Sequence, residues 1–342
     1  MDDLQFGKRD KRGHWKPNEP LTNPPVFVFP PRPVAFLKWL PSYFLPWNVV
    51  FMASAAVFWY YLTPDTETLK TLSPGWILII LARNMLAVFL FYGAFELLLY
   101  IKRRQANRFK YNPTFPADTK SDVFWFKSQN IDNMIRSFGS GVPIWTAFEV
   151  GMLWAFANGY APMADFMTSP WWLATIVLLT PAFHELHFYL VHRAIHSPIL
   201  YKYIHSVHHN SVNPSPWSSL SMHPIEHLLY FSGVLVHLFI HSHPVIAIYH
   251  LHLAGFGAVV GHVGFDKIEA GEEHAVDTHS FAHYLHHKYF EVNYADGLIP
   301  LDRWFGTWHD GTKSGDEAME VRWKKKAQRM NAKKAAQEGK QA

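Results

Sequence analysis

The sequence predicts an all-α integral membrane protein: about four transmembrane helices, with a helical cap on the cytosolic face holding a histidine-rich di-metal site. Three observations predict it. Four apolar runs are long enough to be membrane helices or close to it. A strongly basic connection follows the second run. All of the 22 histidines except His14 and His309 fall between His184 and His287, many at helical spacing.

Residues 1–46 open with K-R-D-K-R and become Pro-rich at Pro24, Pro25, Pro30, Pro31 and Pro33. No apolar run with a small-residue cleavage site follows the charges, so the segment reads as a cytosolic or interfacial extension and not a signal peptide. Residues 47–141 form the first membrane hairpin and its connecting loop. Trp47 to Leu62 is apolar and aromatic, and Gly75 to Ile101 is interrupted only by Arg83, Asn84 and Glu96. The turn between them, T-P-D-T-E-T-L-K, is nearly neutral, whereas I-K-R-R-Q-A-N-R-F-K after the second run is basic. The positive-inside rule therefore puts the basic loop, and with it both termini, in the cytoplasm.

Residues 142–312 are expected to be the catalytic unit. Val142 to Tyr160 and Trp171 to Leu190 make a second hairpin, which returns the chain to the basic side where the histidine motifs begin. Leu228 to Ile240 and Val245 to Val260 are apolar but carry His237, His250 and His252, and are expected not to span. Residues 313–342 form a basic tail. The net charge of +4 lies mostly in the tails and that one loop, which suits anionic lipid. Nucleic acid is not expected, because the basic residues flank apolar runs instead of alternating with exposed aromatics. With no cysteine, a thiolate-ligated metal is excluded.

The chemistry sits in the histidines. His192 and His196 are four apart; His205, His208 and His209 repeat the spacing of His283, His286 and His287, as H-x-x-H-H. Such spacing gathers three imidazoles on one side of a helix. Eight imidazoles are too many for one ion of about four ligands, so two ions are expected. His223 and His227, in H-P-I-E-H, and His262, in G-H-V-G-F-D, extend the set. Imidazole suits iron, zinc, copper or nickel, and the scarcity of carboxylates argues against magnesium, calcium or manganese. No Glu stands three before a His, which excludes the Glu-x-x-His bundle of soluble di-iron proteins.

H-E-L-H-F-Y-L-V-H-R-A-I-H, Y-K-Y-I-H-S-V-H-H, M-H-P-I-E, G-H-V-G-F-D, H-Y-L-H-H and N-Y-A-D-G-L-I-P-L-D-R-W-F-G-T, in this order over residues 140–312, resemble the fatty acid hydroxylase and sterol desaturase superfamily. The resemblance implies a non-haem centre of two iron ions that uses O2 and two electrons to attack a C–H bond of a lipid. By matching position, the iron ligands would be His192, His196, His205, His208, His209, His223, His262, His283, His286 and His287. His184, His187, His227 and His279 would be extra ligands or groups that orient ligands. Two positions depart from the pattern: Glu185 where sterol-modifying members have Asp, and N-Y-A-D-G for N-Y-G.

The implied activity is hydroxylation of a fatty acyl, sterol or related lipid, with desaturation at the same site as the alternative. A histidine-rich metal transporter is a third reading, one that would place ionisable groups midway along spans. No haem, flavin or nicotinamide motif is present, so electrons would come from an external donor, a cytochrome b5-like protein or a ferredoxin with its reductase. The host membrane would be a bacterial inner membrane or the endoplasmic reticulum. Arg193 is expected to pair with Asp266, Asp277 or a lipid headgroup. Asn293, Tyr294, Asp302 and Arg303 are expected to build the turn beneath the last histidine cluster.

Overall fold

The structure, a computed structural model, describes residues 1–338 and is mostly helical. The N-terminal residues form a two-stranded antiparallel hairpin, β1 (Gly7–Arg9) and β2 (Trp15–Pro17). Trp15 is 1% exposed and packs with Phe109, Tyr111, Phe281 and Tyr284, so this segment folds back onto residues 109–111 and 281–285. The composition of residues 1–46 had suggested an irregular extension; tertiary packing of one tryptophan overrides the weak local signal.

Helices α1 (Pro33–Phe44) and α2 (Trp47–Leu62) follow, bent by 40° at their junction. The next helix, α3 (Pro74–Phe95), continues through a π-helical turn to Ile101. Its Leu78, Ile79, Leu86 and Leu90 are each about 60% exposed, an apolar face that a bilayer would cover. Helix α4 (Gln129–Arg136) leads through a second π turn, Ser137–Gly141, into α5 (Val142–Ala157). A Pro at its start opens α6 (Pro170–Ile195), the longest apolar helix of the second half.

Among the described residues, three helices are long and apolar enough to cross a membrane, or four if the bent pair α1–α2 is one span. They differ from expectation at one place. Helix α5 has 16 residues and is too short to count, although 142–160 was expected to span. Helix α9 (Pro244–His262), described below, is among the three, with 19 residues, long and apolar enough. The 245–260 run was expected not to span; 78% of its apolar window is covered by protein.

After α6, the π turn Tyr201–His205 runs into the single turn α7 (Ser206–His209), and α8 (Pro224–Phe231) follows. Helix α9 then passes through the centre of the fold, meeting α2, α3, α5 and α6. Gly255 on α9 makes this packing possible: a Cβ there would lie 2.1 Å from the Trp145 ring of α5. A second hairpin, β3 (Lys267–Glu269) with β4 (Ala275–Asp277), joins α9 to α10 (Phe281–Tyr289). The chain closes with α11 (Lys313–Glu338). The main core unites α2, α3, α5, α8 and α9 through Phe51, Ile80, Tyr92, Trp145, Phe231 and Val259.

Candidate metal centre

Four helix ends converge on one point. Helix α6 brings His192 and, at its C-cap, His196; the Tyr201–His209 segment brings His205, His208 and His209; α9 ends on His262; α10 carries His283, His286 and His287. These nine histidines form two groups. His192, His196, His205, His209 and His286 make one, His208, His262, His283 and His287 the other, and within each group the ring nitrogens lie within 4.8 Å of one another. All nine are buried except the half-buried His196.

The division follows from helix geometry. At about 100° per residue, the first and last histidines of H-x-x-H-H stand about 40° apart, and the middle one turns about 60° the other way. Accordingly His205 and His209 serve the first group and His208 the second, while His283 and His287 serve the second and His286 the first. Each motif therefore gives two rings to one group and one to the other.

The outer nitrogens fix the protons. His192 Nδ1 donates to the Tyr294 carbonyl (2.8 Å), His286 Nδ1 to Val292 (2.6 Å), His208 Nδ1 to Ser221 (3.3 Å) and His262 Nδ1 to Ala258 (2.7 Å). A carbonyl only accepts, so in these four neutral rings the Nε2 atom bears a lone pair. Yet His262 Nε2 lies 3.2 Å from His208 Nε2, and neither has a hydrogen to share. The bare His286 Nε2 lies 3.1 Å from His209 Nε2 and 3.2 Å from His196 Nε2, in a group packed as closely. Two lone pairs at that distance need a cation between them. Adjacent donors on an ion with nitrogen ligands at about 2.1 Å are separated by about 3.0 to 3.4 Å, and the contacts in both groups run from 3.0 to 3.3 Å. Burial, reinforced by neighbouring imidazoles, holds the six histidines of the two H-x-x-H-H motifs well below the ordinary histidine range, in the neutral form a metal needs. The donor set fits a pair of transition metals of the iron-to-zinc type.

His223 is not brought to either group. It caps α8, its Nδ1 accepting the Ile225 N–H at 3.2 Å. The residue of the M-H-P-I-E element that reaches the site is Glu226, buried at 3% exposure, whose Oε1 lies 2.7 Å from His205 Nδ1. Sequence reasoning passed over Glu226; its signal was a lone carboxylate within an otherwise imidazole-rich motif. Of the remaining candidates, His227 bonds the Leu220 carbonyl (3.1 Å), His187 the Ser232 hydroxyl (3.0 Å), and His184 stands against His250. His279 is exposed, with φ +53.

The N-Y-A-D-G loop is held from both sides. Glu185 on α6 accepts the N–H groups of Gly297 (3.0 Å), Leu298 (2.8 Å) and Ile299 (3.0 Å), and Asp302 those of Tyr294 (2.9 Å) and Ala295 (2.8 Å). This clamp sets the Tyr294 carbonyl that orients His192. Asn293 adds a bond to the His309 carbonyl, and these residues form the expected turn. Arg193 does not reach Asp266 or Asp277; it donates to the Tyr189 hydroxyl and lies 5.5 Å from the Phe305 ring centre.

A cavity of about 760 Å³ opens beside the metal groups. His192, His205, His208, His262, His283 and Glu226 line it. The rest of its lining is largely apolar, with Phe188, Ile195, Met222, Tyr230, Leu253, Trp39, Tyr43 and Trp47. Such a size and lining suit a ligand as large as a lipid.

A membrane-type helical fold whose helix ends carry two all-histidine groups beside an apolar cavity defines a class of oxidative metalloenzyme. The comparisons make that class specific. Residues 177–307, which contain all nine histidines, match the fatty acid hydroxylase family. A Delta(7)-sterol 5(6)-desaturase of Gibberella zeae is 31% identical over 143 residues, 40% of this chain and 42% of that protein. A Delta(7)-sterol 5(6)-desaturase of Aspergillus fumigatus is 26% identical over 261 residues, 68% of this chain and 74% of the relative. A putative methylsterol monooxygenase of Dictyostelium discoideum is 30% identical over 154 residues, 44% of this chain and 57% of the relative. No solved structure matches. Residues 177–307 are thus a fatty acid hydroxylase-type domain, similar in sequence to sterol desaturases and a methylsterol monooxygenase, and the domain is that of an oxidoreductase.

Proposed function

We propose that the nine grouped histidines hold two iron ions, and that the protein hydroxylates a C–H bond of a membrane lipid with O2 and two electrons from an external donor. The observation that carries this reading is the facing of the bare Nε2 atoms of His208 and His262, within two close-packed histidine groups that line a largely apolar cavity. Bound iron would supply the redox chemistry that lets O2 break a C–H bond. The chain's own residues do the rest. The carbonyls of Tyr294, Val292, Ser221 and Ala258 orient four of the rings, Glu226 orients a fifth, and the apolar cavity walls hold the lipid and keep bulk water away.

We take residues 142–312 as the catalytic unit, 47–141 as its membrane anchor, and the basic segment after α3 as cytoplasmic, which would put the metal groups at the cytosolic face. The electron donor would be a cytochrome b5-like protein or a ferredoxin. Desaturation is a second reading, favoured by the Gibberella and Aspergillus relatives, which are named as sterol desaturases; the Dictyostelium relative, named as a putative methylsterol monooxygenase, favours oxygen insertion. Lipid profiling of cells with and without the protein separates them, since hydroxylation adds an oxygen atom and desaturation removes two hydrogens. Purified protein reconstituted with iron under anaerobic conditions is expected to bind two ions per chain and to consume O2. Protein that binds no iron overturns the proposal.

A further inference from the structure

Five further histidines lie within the apolar part of the fold, outside both metal groups: His237, His250 and His252, all buried, and the half-buried His184 and His187. Ionisable groups inside a membrane domain are expensive and mark function. Three of the five form a string. Ser242 stands just before α9, between the exposed His241 and the half-buried His243. Trp172, near the start of α6, donates to the His241 carbonyl at 2.7 Å, so Ser242 sits at the ends of α6 and α9 remote from the metal groups. From its hydroxyl, His237 Nδ1 is 2.8 Å away, and His237 Nε2 is 3.3 Å from His250 Nδ1. The rings of His250 and His184 then meet edge to face, 5.6 Å between centres. His184 lines the cavity.

The string covers depth. His250 precedes His262 on α9 by twelve residues and His184 precedes His192 on α6 by eight, about 18 Å and 12 Å along the helix axes. A neutral imidazole has one donor and one acceptor nitrogen, so it takes a proton on one side and releases one on the other. His250 and His184 are not directly hydrogen-bonded, so a proton crosses this step by a water or by ring rotation. Gly233 allows the close packing beside it: a Cβ on it would stand only 3.3 Å from His250 Nε2 and 3.0 Å from His187 Nδ1, a buried nitrogen with no partner.

We propose that Ser242, His237, His250 and His184 form a proton path from the membrane face remote from the metal groups into the cavity. The inference rests on the O2-reducing function proposed above. Two electrons from the donor and two protons must reach each O2. With substrate, one oxygen atom enters the C–H bond and the other leaves as water; without substrate, O2 leaves as hydrogen peroxide.

The iron-loaded protein is sealed into phosphatidylcholine vesicles with a pH dye trapped inside and a strong buffer outside. A stoichiometric amount of dithionite, which does not cross the bilayer, reduces only molecules whose metal groups face outward. A pulse of O2 is expected to raise the internal pH, by up to two protons per O2 reduced. His237→Gln and His250→Gln, which keep a polar side chain but cannot pass a proton between two ring nitrogens, are expected to cut the internal rise at least tenfold with iron content unchanged. His252→Gln, a buried histidine off the string, leaves the rise intact and controls for folding. Iron reoxidation without any internal pH change in the unsubstituted protein overturns the proton path. Failure to bind iron or reduce O2 at all overturns instead the function on which the path rests.

Discussion

Two polar clusters are buried in this protein, and they are satisfied in opposite ways. Between α3 and α5, Arg83 donates to Glu149, to the Leu62 carbonyl (3.1 Å) and to Thr63 (3.1 Å), while Asn84 donates to Glu149 (2.8 Å) and Thr146 (3.1 Å). Donors meet acceptors throughout, and the Arg83 guanidinium also covers the Phe58 ring at 4.4 Å. At the histidine groups four outward nitrogens donate to carbonyls and a fifth to Glu226, but inward the Nε2 atoms of His208 and His262 face one another with nothing to share. The first cluster is complete as protein. The second is complete only around a cation. Buried polar groups cost stability unless they are paired, so the first pattern marks a strut and the second a binding site.

The sharpest way to break this contrast is to delete a ring from each motif. His208→Ala and His286→Ala are each expected to lower O2-dependent turnover at least about a hundredfold, beyond the 10- to 100-fold range typical of outer groups at a metal site. Membrane insertion and the metal-free melting temperature should stay near the parent values. Retained turnover with full iron content in either variant would remove that histidine from the site.

Acid separates the clusters next. The histidines of the two H-x-x-H-H motifs have folded pKa values depressed by burial. Below the unfolded value of about 6.5 the unfolded chain therefore binds more protons than the folded one, and stability falls as pH falls. Each such histidine contributes a slope of about 1.4 kcal/mol per pH unit until its folded pKa is reached. Metal-free protein in detergent is expected to lose stability steeply from pH 6.5 downward, and to show little change above pH 7.5. Bound metal should delay the loss, because it must be displaced before the rings protonate. A flat stability profile between pH 5 and 7 would contradict the neutral, buried state of these rings.

At the strut the effect should be on folding alone. Glu149 is 1% exposed, and Glu149→Gln would leave the Arg83 charge buried without its counter-charge. Removing one partner of a buried pair costs about 3 to 5 kcal/mol, while replacing both by apolar residues is often neutral. Glu149→Gln is expected to show that loss in denaturant-induced unfolding, with iron per folded molecule unchanged; the double variant Arg83→Met with Glu149→Leu should recover most of it. If Glu149→Gln alters iron content and not stability, the strut and the site are coupled and the contrast fails.

The inward half of the metal site was legible in sequence and the outward half was not. H-x-x-H-H fixes the ring directions by helix rotation alone, so eight of the nine grouped histidines follow from spacing, and His262 entered with its short motif. The acceptors that set the tautomers are backbone carbonyls of distant loops, such as Tyr294, and a carbonyl has no sequence signature. His223 misled for a related reason. Its Pro-x-Glu context suits a helix start, where the imidazole caps Ile225 and the glutamate one turn on faces the core. The sequence also set 245–260 aside as too short, because the helix it belongs to gains its last residues from Pro244, just after the cap His243, and from His262, which an apolar run does not include; whether lipid or protein covers it is not written in apolarity.

The smallest effect tests where the two clusters come closest in chemistry, at Glu226. Its Oε1 holds His205 Nδ1 as Glu149 holds Arg83, yet its Oε2 is buried with no partner, as the inward nitrogens are. If Glu226 acts mainly as the acceptor that fixes the ring of His205, Glu226→Gln keeps that acceptor and should weaken iron binding about tenfold, whereas Glu226→Leu removes it and should weaken binding toward a hundredfold. Competition with a chelator of known affinity measures both. Equal losses in the two variants would mean that the carboxylate charge, and not the hydrogen bond to His205, is what the site needs. No loss in either would place Glu226 with the struts.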